Sequence, residues 1–292
     1  MKENKQLTAW LLLILIAAIW GTSFILMKKA LGVYSVTEVA AGRIFLAFVF
    51  FIPLIWINRR AVPPAKYPFL ITSGLLGYLL PAFLFSLAGT KLNSSLSGTL
   101  NSLSPLFTLI IGALFFGQSF KLGKVIGIGI GLCGALLLVF SSSSAGGLRF
   151  DNPYALLVVL ATLMYGINVN VIVRNLSDLP ALVSTSWTFV FVGPVAFVIL
   201  CTTGFFGKFF DTSHWQTTLF LTSLGVLASG ITSILFNRVI QLSSGVFAAS
   251  VTYLIPIVAI TWGLLDGEQV LVQHYVGIAV ILGGIYLVNK TK

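Results

Sequence analysis

Charged residues are scarce in this chain: aspartate, glutamate, lysine and arginine together make up 8% of its 292 residues. A soluble domain carries about 25% charged residues and about 45–50% apolar ones, whereas hydrophobic residues reach 58% here. So little polar surface excludes a globule that folds in water. We predict an all-α integral membrane protein.

Cysteines and acidic residues are too few for a disulfide framework, a metal centre or acid–base catalysis. Cys133 and Cys201 lie in separate apolar runs, where cysteine acts as a small hydrophobic residue. The seven acidic residues form no cluster, and the sequence lacks the HExxH, GxSxG and P-loop motifs. We therefore predict a protein that is not an enzyme and binds no cofactor or metal.

Long apolar runs fill the chain instead, joined by connections too short to hold a soluble domain. A helix that crosses a membrane needs about 20 predominantly apolar residues. On this basis we predict ten transmembrane helices, near residues 8–27, 37–57, 68–88, 94–116, 122–141, 153–173, 180–203, 215–236, 245–265 and 272–288.

The basic residues predict the orientation of these spans. Of the 17 lysines and arginines, eleven fall on the side that holds both chain ends and five on the other, with Arg43 inside a span. Lysine and arginine favour cytoplasmic loops, so we predict a multi-pass inner-membrane protein with cytoplasmic N- and C-termini. Scattered in this way, the net charge of +10 forms no basic face for nucleic acid.

An internal repeat divides the chain. "NSLSPLFTLIIGALFFGQ" (101–118) resembles "VTYLIPIVAITWGLLDGE" (251–268) in length, in the position of its proline and in its Gly-polar ending. The equivalent pairs are Pro105 with Pro256, Gly117 with Gly267, Gly127 with Gly277, Gly134 with Gly284 and, more weakly, Trp20-Gly21 with Tyr165-Gly166.

The repeat unit has five helices, so the second copy must enter the membrane from the opposite side. We predict two inverted five-helix units, residues 1–147 and 148–292. Secondary transporters commonly use inverted repeats, with the substrate site near the midplane between them.

Three segments resemble the EamA-type branch of the drug/metabolite transporter superfamily: "IWGTSFILMKKAL" (19–31), "SLSPLFTLIIGALFFGQ" (102–118) and "YLIPIVAITWGLLDGE" (253–268). Two positions depart from the family pattern, Gln118 and Asp266. The resemblance implies a ten-helix bundle with cytoplasmic ends and a central cavity. It also implies movement, mostly export, of small metabolites such as amino acids.

The two prolines predict breaks in their helices. Proline has no amide hydrogen and clashes with the carbonyl four residues earlier, which belongs to Asn101 for Pro105 and to Thr252 for Pro256. In a membrane these carbonyls need other partners. One reading is that they line a wet transport path, and the other is a packing kink satisfied by neighbouring helices.

Two polar segments near span ends predict local structure. Ser35-Val-Thr-Glu38 is typical of a capping box at the start of the second span, and Ser177-Asp178 predicts a cap before Pro180 at the start of the seventh. Arg43 lies inside the second span, where an ionisable residue indicates function. We predict that it is a structural or gating anchor near the outer mouth, with snorkelling to the outer interface or pairing with helix-end carbonyls as the alternatives.

Polar and aromatic residues near mid-membrane predict the substrate pathway. Asn168 and Asn170 point to different faces of the sixth span, so at most one meets the pathway. The residues predicted to form its wall are Trp20, Asn101, Tyr165, Asn168, Thr252 and Tyr253. Glycines spaced by four, at 123, 127 and 131, predict close helix packing, either inside the chain or in a homodimer.

These features predict an inner-membrane secondary transporter that exports small metabolites, amino-acid-like or otherwise apolar or zwitterionic, by alternating access. The partners expected are a small-molecule substrate and the lipid bilayer. A multidrug efflux transporter and a non-transporting membrane receptor or scaffold are the alternatives.

Overall fold

The computed structural model describes residues 2–57, 62–92, 94–119, 121–142, 153–258 and 272–291. Within these ranges the regular secondary structure is helical, without strands. Three predictions lie outside them: the boundary at 147–148, residues 259–265 of the ninth predicted span, and the Asp266-Gly267-Glu268 ending.

The described part of the first half contains seven α-helical segments. A widened turn of π-helix, Leu75–Leu79, joins the third segment to the fourth, so that Pro64–Ala88 is one continuous helical stretch. The segments are α1 (Lys2–Ala30), α2 (Val36–Ile57), α3 (Tyr67–Gly74), α4 (Leu80–Ala88), α5 (Ser94–Asn101), α6 (Ser104–Phe115) and α7 (Leu122–Ser142).

The second half has a similar succession. Two more π-helical stretches, Ile172–Leu176 and Leu224–Ile231, extend its helices. Its segments are α8 (Pro153–Val171), α9 (Ala181–Cys201), α10 (Phe205–Phe210), α11 (Trp215–Ser223), α12 (Thr232–Leu242), α13 (Gly245–Ala249) and α14 (Val272–Lys290).

Within the described ranges, six helices are long and apolar enough to cross a membrane: Lys5–Ala30, Val36–Ile57, Pro64–Ala88, Pro153–Leu176, Ala181–Cys201 and Thr212–Leu242. They coincide with six of the predicted spans. The other four predicted spans fall on shorter apolar helices, Ser104–Phe115, Leu122–Gly134, Gly245–Val258 and Val276–Lys290. The chain is a multi-pass, helical membrane protein.

Helices of the first half pack mainly against helices of the second. The largest contacts join α7 to α14, α2 to α9 and α6 to α8. Large apolar side chains such as Phe51 and Phe189, whose ring centroids lie 5.2 Å apart, fill the α2–α9 contact. The two halves therefore share one interior, and a site between them is built by both.

One end of the bundle, called the Glu38 end below, contains the predicted capping box. The Ser35 amide donates to the Glu38 carboxylate at 2.7 Å, and the Glu38 amide donates to the Ser35 hydroxyl at 3.3 Å. This prediction is confirmed. The same carboxylate, 2% exposed, also accepts a hydrogen bond from Lys208 at 2.7 Å, which joins the start of α2 to α10.

At the opposite end, called the Lys66 end, the predicted cap at Asp178 is wrong. Pro180 precedes α9 without a side-chain cap. The Asp178 carboxylate instead pairs with Lys66 at 2.8 Å, and Lys66 also donates to the Asn175 carbonyl at 2.7 Å. The hydrogen bond from Lys66 lowers the pKa of Asp178 below its ordinary value, because it stabilises the carboxylate.

Candidate functional site

The first predicted helix break lies between α5 and α6. Helix α5 ends at Asn101, and α6 begins at Ser104 with Pro105 in its first turn. The Asn101 carbonyl, which loses a donor because Pro105 has no amide hydrogen, accepts a hydrogen bond from the Ser104 hydroxyl at 2.8 Å. The break predicted from the proline is confirmed, and a local serine satisfies the carbonyl.

The second break follows α13. A short 3₁₀ turn, Ser250–Tyr253, interrupts the helix before residues 255–258 become helical again. The Ser102 hydroxyl, from the other half of the chain, lies 3.2 Å from the Thr252 carbonyl and 3.4 Å from the Gly98 carbonyl. The two carbonyls that the prolines free, those of Asn101 and Thr252, thus both have hydrogen-bond partners within the protein, as the packing-kink reading expected.

A cavity of about 110 Å³ lies beside these two breaks. Its wall includes polar side chains from both halves and several aromatic rings. The residues that line it include Trp20, Arg43, Tyr78, Phe85, Asn101, Ser104, Tyr165, Asn168, Ser229, Ser233, Phe236, Thr252 and Ile255.

Five of the six residues predicted for the pathway wall line this cavity: Trp20, Asn101, Tyr165, Asn168 and Thr252. Tyr253 lies outside it. Its ring packs where a side chain at position 131 would stand, and its hydroxyl donates to the Ile128 carbonyl at 3.0 Å. Pro105 and Pro256 act through the breaks and do not themselves line the cavity. The role of this wall in transport stays a prediction.

Aromatic contacts fix much of the cavity wall. The Trp20 indole donates to the Ala228 carbonyl at 2.8 Å and lies 3.0 Å from the Thr232 hydroxyl. The Trp20 and Phe236 ring centroids are 5.4 Å apart, and Phe85 stacks on Tyr165 at 6.0 Å. Because indole hydrogen bonds and ring contacts restrict rotation, these side chains form a pre-shaped apolar surface.

Arg43 lines the cavity, half-buried, at the face that α2 presents to the second half of the chain. Its Nε donates to the Ser229 hydroxyl at 2.9 Å. Ser229 belongs to the π-helical stretch Leu224–Ile231. The location fits the predicted functional role better than snorkelling, although gating itself stays a prediction.

Sequence reasoning did not single out Tyr78, Ser229 and Ser233, which also line the cavity. Tyr78 and Ser229 lie in π-helical stretches, which often occur at functional sites. Neither stretch carries a proline that would mark it in the sequence. The available signal was weak: a hydroxyl within an apolar run.

The two asparagines of α8 point to different places, as predicted. Asn168 lines the cavity. Asn170 turns away and donates 2.8 Å hydrogen bonds to the Thr108 and Gly166 carbonyls, while Gln118 donates to its oxygen at 3.0 Å. Asn170 therefore fastens α8 to α6, and Asn168 belongs to the candidate site.

The predicted glycine face of α7 packs inside the chain. A Cβ atom at Gly127 would lie 2.9 Å from the Gly284 carbonyl oxygen, and one at Gly134 would lie 3.0 Å from that of Gly277. At Gly131 it would meet the Tyr253 ring at 2.6 Å. Small residues here let α7 and α14 approach closely, which settles the choice for an internal contact.

The profile of the EamA-like transporter family matches twice, over residues 7–140 and 152–290. Among curated proteins, Protein PagO of Salmonella typhimurium is 24% identical over 270 residues, which are 88% of this chain and 84% of that protein. Uncharacterized transporter YvbV of Bacillus subtilis is 25% identical over 299 residues, covering 100% of this chain and 95% of that one.

One solved crystal structure has the same fold. It aligns with a TM-score of 0.72 at 18% identity, over 98% of this chain and 96% of its own. At this identity the likeness concerns the fold alone.

Proposed function

We propose that this chain, which belongs to the EamA-like transporter family, is a secondary transporter that carries a small metabolite through the central cavity by alternating access. The observation that carries the proposal is the cavity itself, walled by polar and aromatic side chains of both halves. The names of its relatives point to a transporter, which is not an enzyme.

The proposal includes two inverted five-helix units, residues 1–147 and 148–292. Reciprocal contacts support it. A Cβ atom on Gly21 would lie 2.6 Å from Val258, and one on Gly166 would lie 2.8 Å from the carbonyl carbon of Phe107. Gly21 is equivalent to Gly166, and Phe107 to Val258, so each half contacts the other in the same way.

The glycines of α7 and α14 follow the same rule. Gly127 lies against Gly284, and Gly134 lies against Gly277. Because Gly127 is the repeat equivalent of Gly277 and Gly134 of Gly284, exchanging the halves turns one contact into the other. A two-fold relation between the copies has this property, as in transporters with inverted repeats.

Alternating access requires contacts between the halves that can open at one end at a time. Two ion pairs meet this description, Glu38 with Lys208 and Lys66 with Asp178, one at each end of the bundle. In both, a carboxylate that follows the first helix of one half binds a lysine that follows the second helix of the other. We propose that each pair breaks when its end opens.

The basic residues support an inner-membrane location with cytoplasmic termini, and the family resemblance supports export. The cavity's charge favours an anionic or zwitterionic cargo over the cationic drugs of a multidrug transporter. Among the described residues no aspartate or glutamate lines the cavity, whereas Arg43 does. Homodimer formation remains a prediction.

An untargeted comparison of metabolites exported by cells with and without the protein tests the proposal. The leading metabolite is then loaded into proteoliposomes that contain the purified full-length chain. We expect Asn101→Ala and Asn168→Ala to lower its flux while the folded protein stays in the membrane. Arg238→Gln, on an exposed side chain outside the cavity, is the matched control. Unchanged flux in both asparagine variants would remove this cavity from the transport path.

A further inference from the structure

A line of polar residues leads from the cavity to the Lys66 end. Side chains four apart are neighbours on a helix surface. Along the π-helical stretch Leu224–Ile231 and α12, polar side chains recur at this spacing: Ser229, Ser233, Asn237 and Gln241. Ser229 and Ser233 line the cavity. Gln241 donates to the Leu179 carbonyl at 2.8 Å, next to Asp178 of the ion pair. The line therefore connects the cavity with the Lys66 end.

Buried polar atoms without a hydrogen-bond partner gather at the same end. A buried donor or acceptor that lacks a partner costs free energy. In the described ranges there are five such side-chain atoms: Asn168 Oδ1, Ser184 Oγ, Trp187 Nε1, Asn237 Oδ1 and Asn289 Nδ2. Asn168 lies at the cavity, and the other four lie toward the Lys66 end.

The helices that carry these atoms fix their location. Ser184 and Trp187 lie in the first two turns of α9, which starts three residues after Asp178. Asn289 stands at the end of α14, where its oxygen accepts a hydrogen bond from Ser243, just beyond α12. None of the unpartnered atoms in the described part of the chain belongs to the Glu38 end. The two ends thus differ in how well their buried polar groups are satisfied.

Asn237, four residues before Gln241, joins α12 to α9 within this line. Its Nδ2 donates to the Thr185 hydroxyl at 2.8 Å, and both side chains are buried. Its Oδ1 accepts no hydrogen bond from a described residue. An apolar pair would close the same contact without an unpaired acceptor, whereas water that entered here would supply the missing donor. The contact is therefore made of groups that water stabilises.

Gly74 and Gly225 identify equivalent positions in the two halves. A Cβ atom on Gly74 would lie 3.2 Å from the Thr188 carbonyl oxygen, and one on Gly225 would lie 3.0 Å from that of Arg43. Each glycine thus contacts the second membrane-spanning helix of the other half. The two glycines are 151 residues apart, and Arg43 and Thr188 are 145 apart. The paired prolines and the paired Trp-Gly and Tyr-Gly segments have the same two spacings.

The equivalent positions at the Glu38 end are closed without such polar groups. By these spacings Ser86 corresponds to Asn237, and Ala40 corresponds to Thr185. Alanine has no side-chain donor or acceptor, and the Ser86 hydroxyl lies 3.9 Å from the Met27 sulfur. Opening this end would bring apolar side chains into water without supplying a missing partner.

We propose that the ligand-free chain opens more readily at the Lys66 end than at the Glu38 end, through a passage lined by Ser229, Ser233, Asn237 and Gln241. Water in the passage supplies the donor that the Asn237 oxygen lacks. The exposed pair of Lys66 with Asp178 also separates more easily than the buried pair at the Glu38 end. This inference rests on the proposed transport function and identifies both the passage and the direction in which the empty cavity opens.

The first test measures how often each end opens, from the rate at which uncharged iodoacetamide modifies a single buried cysteine. Cys133 and Cys201 are replaced by alanine in the full-length chain, and Asn237→Cys is compared with Ser86→Cys. Both positions are buried, so a thiol there reacts when its end opens. Mass spectrometry gives the rate in detergent, which is divided by the rate of the same variant unfolded in urea. We expect Asn237→Cys to react at least about tenfold faster, a factor typical of one regained hydrogen bond.

A second pair of variants examines the same two ends from the partner helices. Thr185→Cys lies on α9 and its equivalent, Ala40→Cys, lies on α2, and both positions are buried. We expect Thr185→Cys to react faster than Ala40→Cys by a similar factor. This pair decides the question if Asn237→Cys does not fold.

Three further variants separate the opening of one end from a general loosening of the protein. Asn237→Leu fills the contact without an unpaired acceptor and should slow the modification of Thr185→Cys, whereas a merely destabilised protein would react faster. Lys66→Met should raise the rate of Asn237→Cys by up to about fivefold, as expected for an exposed ion pair, and leave Ser86→Cys unchanged. Lys208→Met is the matched variant at the other end and should raise the rate of Ser86→Cys.

Two outcomes overturn the inference. One is modification of Ser86→Cys and Ala40→Cys at least as fast as that of their equivalents, which would show that the Lys66 end has no preference to open. The other is faster modification of Thr185→Cys when Asn237→Leu is added. Both outcomes leave the proposed transport function in place, because the export comparison and the flux of its leading metabolite test that function separately.

Discussion

The two halves of the chain meet through the same contacts but satisfy them with different chemistry. In the first broken helix, the Ser104 hydroxyl donates a hydrogen bond to the carbonyl of Asn101, three residues earlier. At the equivalent position the second broken helix has Ile255, whose side chain has no hydroxyl. Ser102, from the other half, donates to the Thr252 carbonyl instead. One break is self-contained, and the other depends on its neighbour.

The ion pairs at the two ends repeat this contrast. Glu38 is 2% exposed and has partners in both Ser35 and Lys208, whereas Asp178 is 61% exposed. A buried charge that loses its partner costs far more than an exposed one. The two ion pairs are thus arranged alike but differ in how much they stabilise the folded chain. Substitutions of equivalent residues in the two halves measure this difference in stability.

The largest difference is expected between Lys208→Met and Lys66→Met. The first leaves the Glu38 carboxylate buried without its cation and should cost about 3 kcal/mol, at the low end for a broken buried pair because Ser35 still donates. The second removes the cation from Asp178, which is already 61% exposed to water, and should cost less than about 1 kcal/mol. Thermal unfolding of the purified variants in detergent measures both.

A double variant checks the cause. Glu38→Gln removes the unpaired charge, so Lys208→Met combined with Glu38→Gln should be more stable than Lys208→Met alone. Equal losses in the two lysine variants would show that the two ends do not differ in energy.

The next largest effect on stability is expected at Gly21 and Gly166, where helices of the two halves pack closely. Alanine at Gly166 would press on the Phe107 backbone, whereas alanine at Gly21 would press on the Val258 side chain. Overpacking costs about 1–3 kcal/mol. We expect Gly166→Ala to be the more destabilising variant in thermal unfolding, because a backbone has less freedom to move.

Two further variants sharpen this comparison. Val258→Ala should recover part of the stability lost in Gly21→Ala. Gly129→Ala is the matched control, since a Cβ atom there meets nothing within 4 Å and alanine favours a helix by up to about 1 kcal/mol. A Gly166→Ala protein as stable as Gly129→Ala would contradict the close crossing.

A smaller effect on stability is expected from the serine hydroxyls that donate to the carbonyls freed by the two prolines. Ser102→Ala removes a donor from the Thr252 carbonyl and should lower the free energy of unfolding by about 1 kcal/mol. Ile255→Ser places a hydroxyl where Ser104 stands in the first half, three residues after the carbonyl. Because Ile255 is 2% exposed, its loss from the core is itself destabilising. The compensation therefore appears as coupling: Ile255→Ser should lower stability less in the Ser102→Ala background than in the wild type, in the same unfolding assay. If Ile255→Ser lowers stability equally with and without Ser102, the two broken helices are not equivalent.

Local chemistry explains what the sequence predicted well. The capping box of Ser35 and Glu38 and the break at Pro105 involve residues within a few positions of one another. The failures involve partners far along the chain. Asp178 was predicted to cap α9, but Lys66, 112 residues earlier, binds its carboxylate. Tyr253 was placed in the wall, but it bonds to Ile128, 125 residues away.

The candidate site follows the same division. Periodicity and residue type were sufficient for Trp20, Asn101, Tyr165, Asn168 and Thr252, which all reach the cavity. Ser229 was missed because its importance comes from Arg43, 186 residues away. A single sequence contains no signal for such a pair, since a serine in an apolar run is equally compatible with a bond to its own helix.

The smallest expected effect concerns pH at the Lys66 end. Because the Lys66 hydrogen bond lowers the pKa of Asp178, the pair stabilises the folded chain above the unfolded pKa of about 3.9. That contribution disappears as pH falls through the lowered folded pKa. Asp178→Asn should therefore narrow its stability difference from the wild type below about pH 4, by less than about 1 kcal/mol because the pair is exposed. Thermal unfolding of both proteins between pH 7 and 3 measures this, and a difference that grows on acidification would contradict the assigned ion pair.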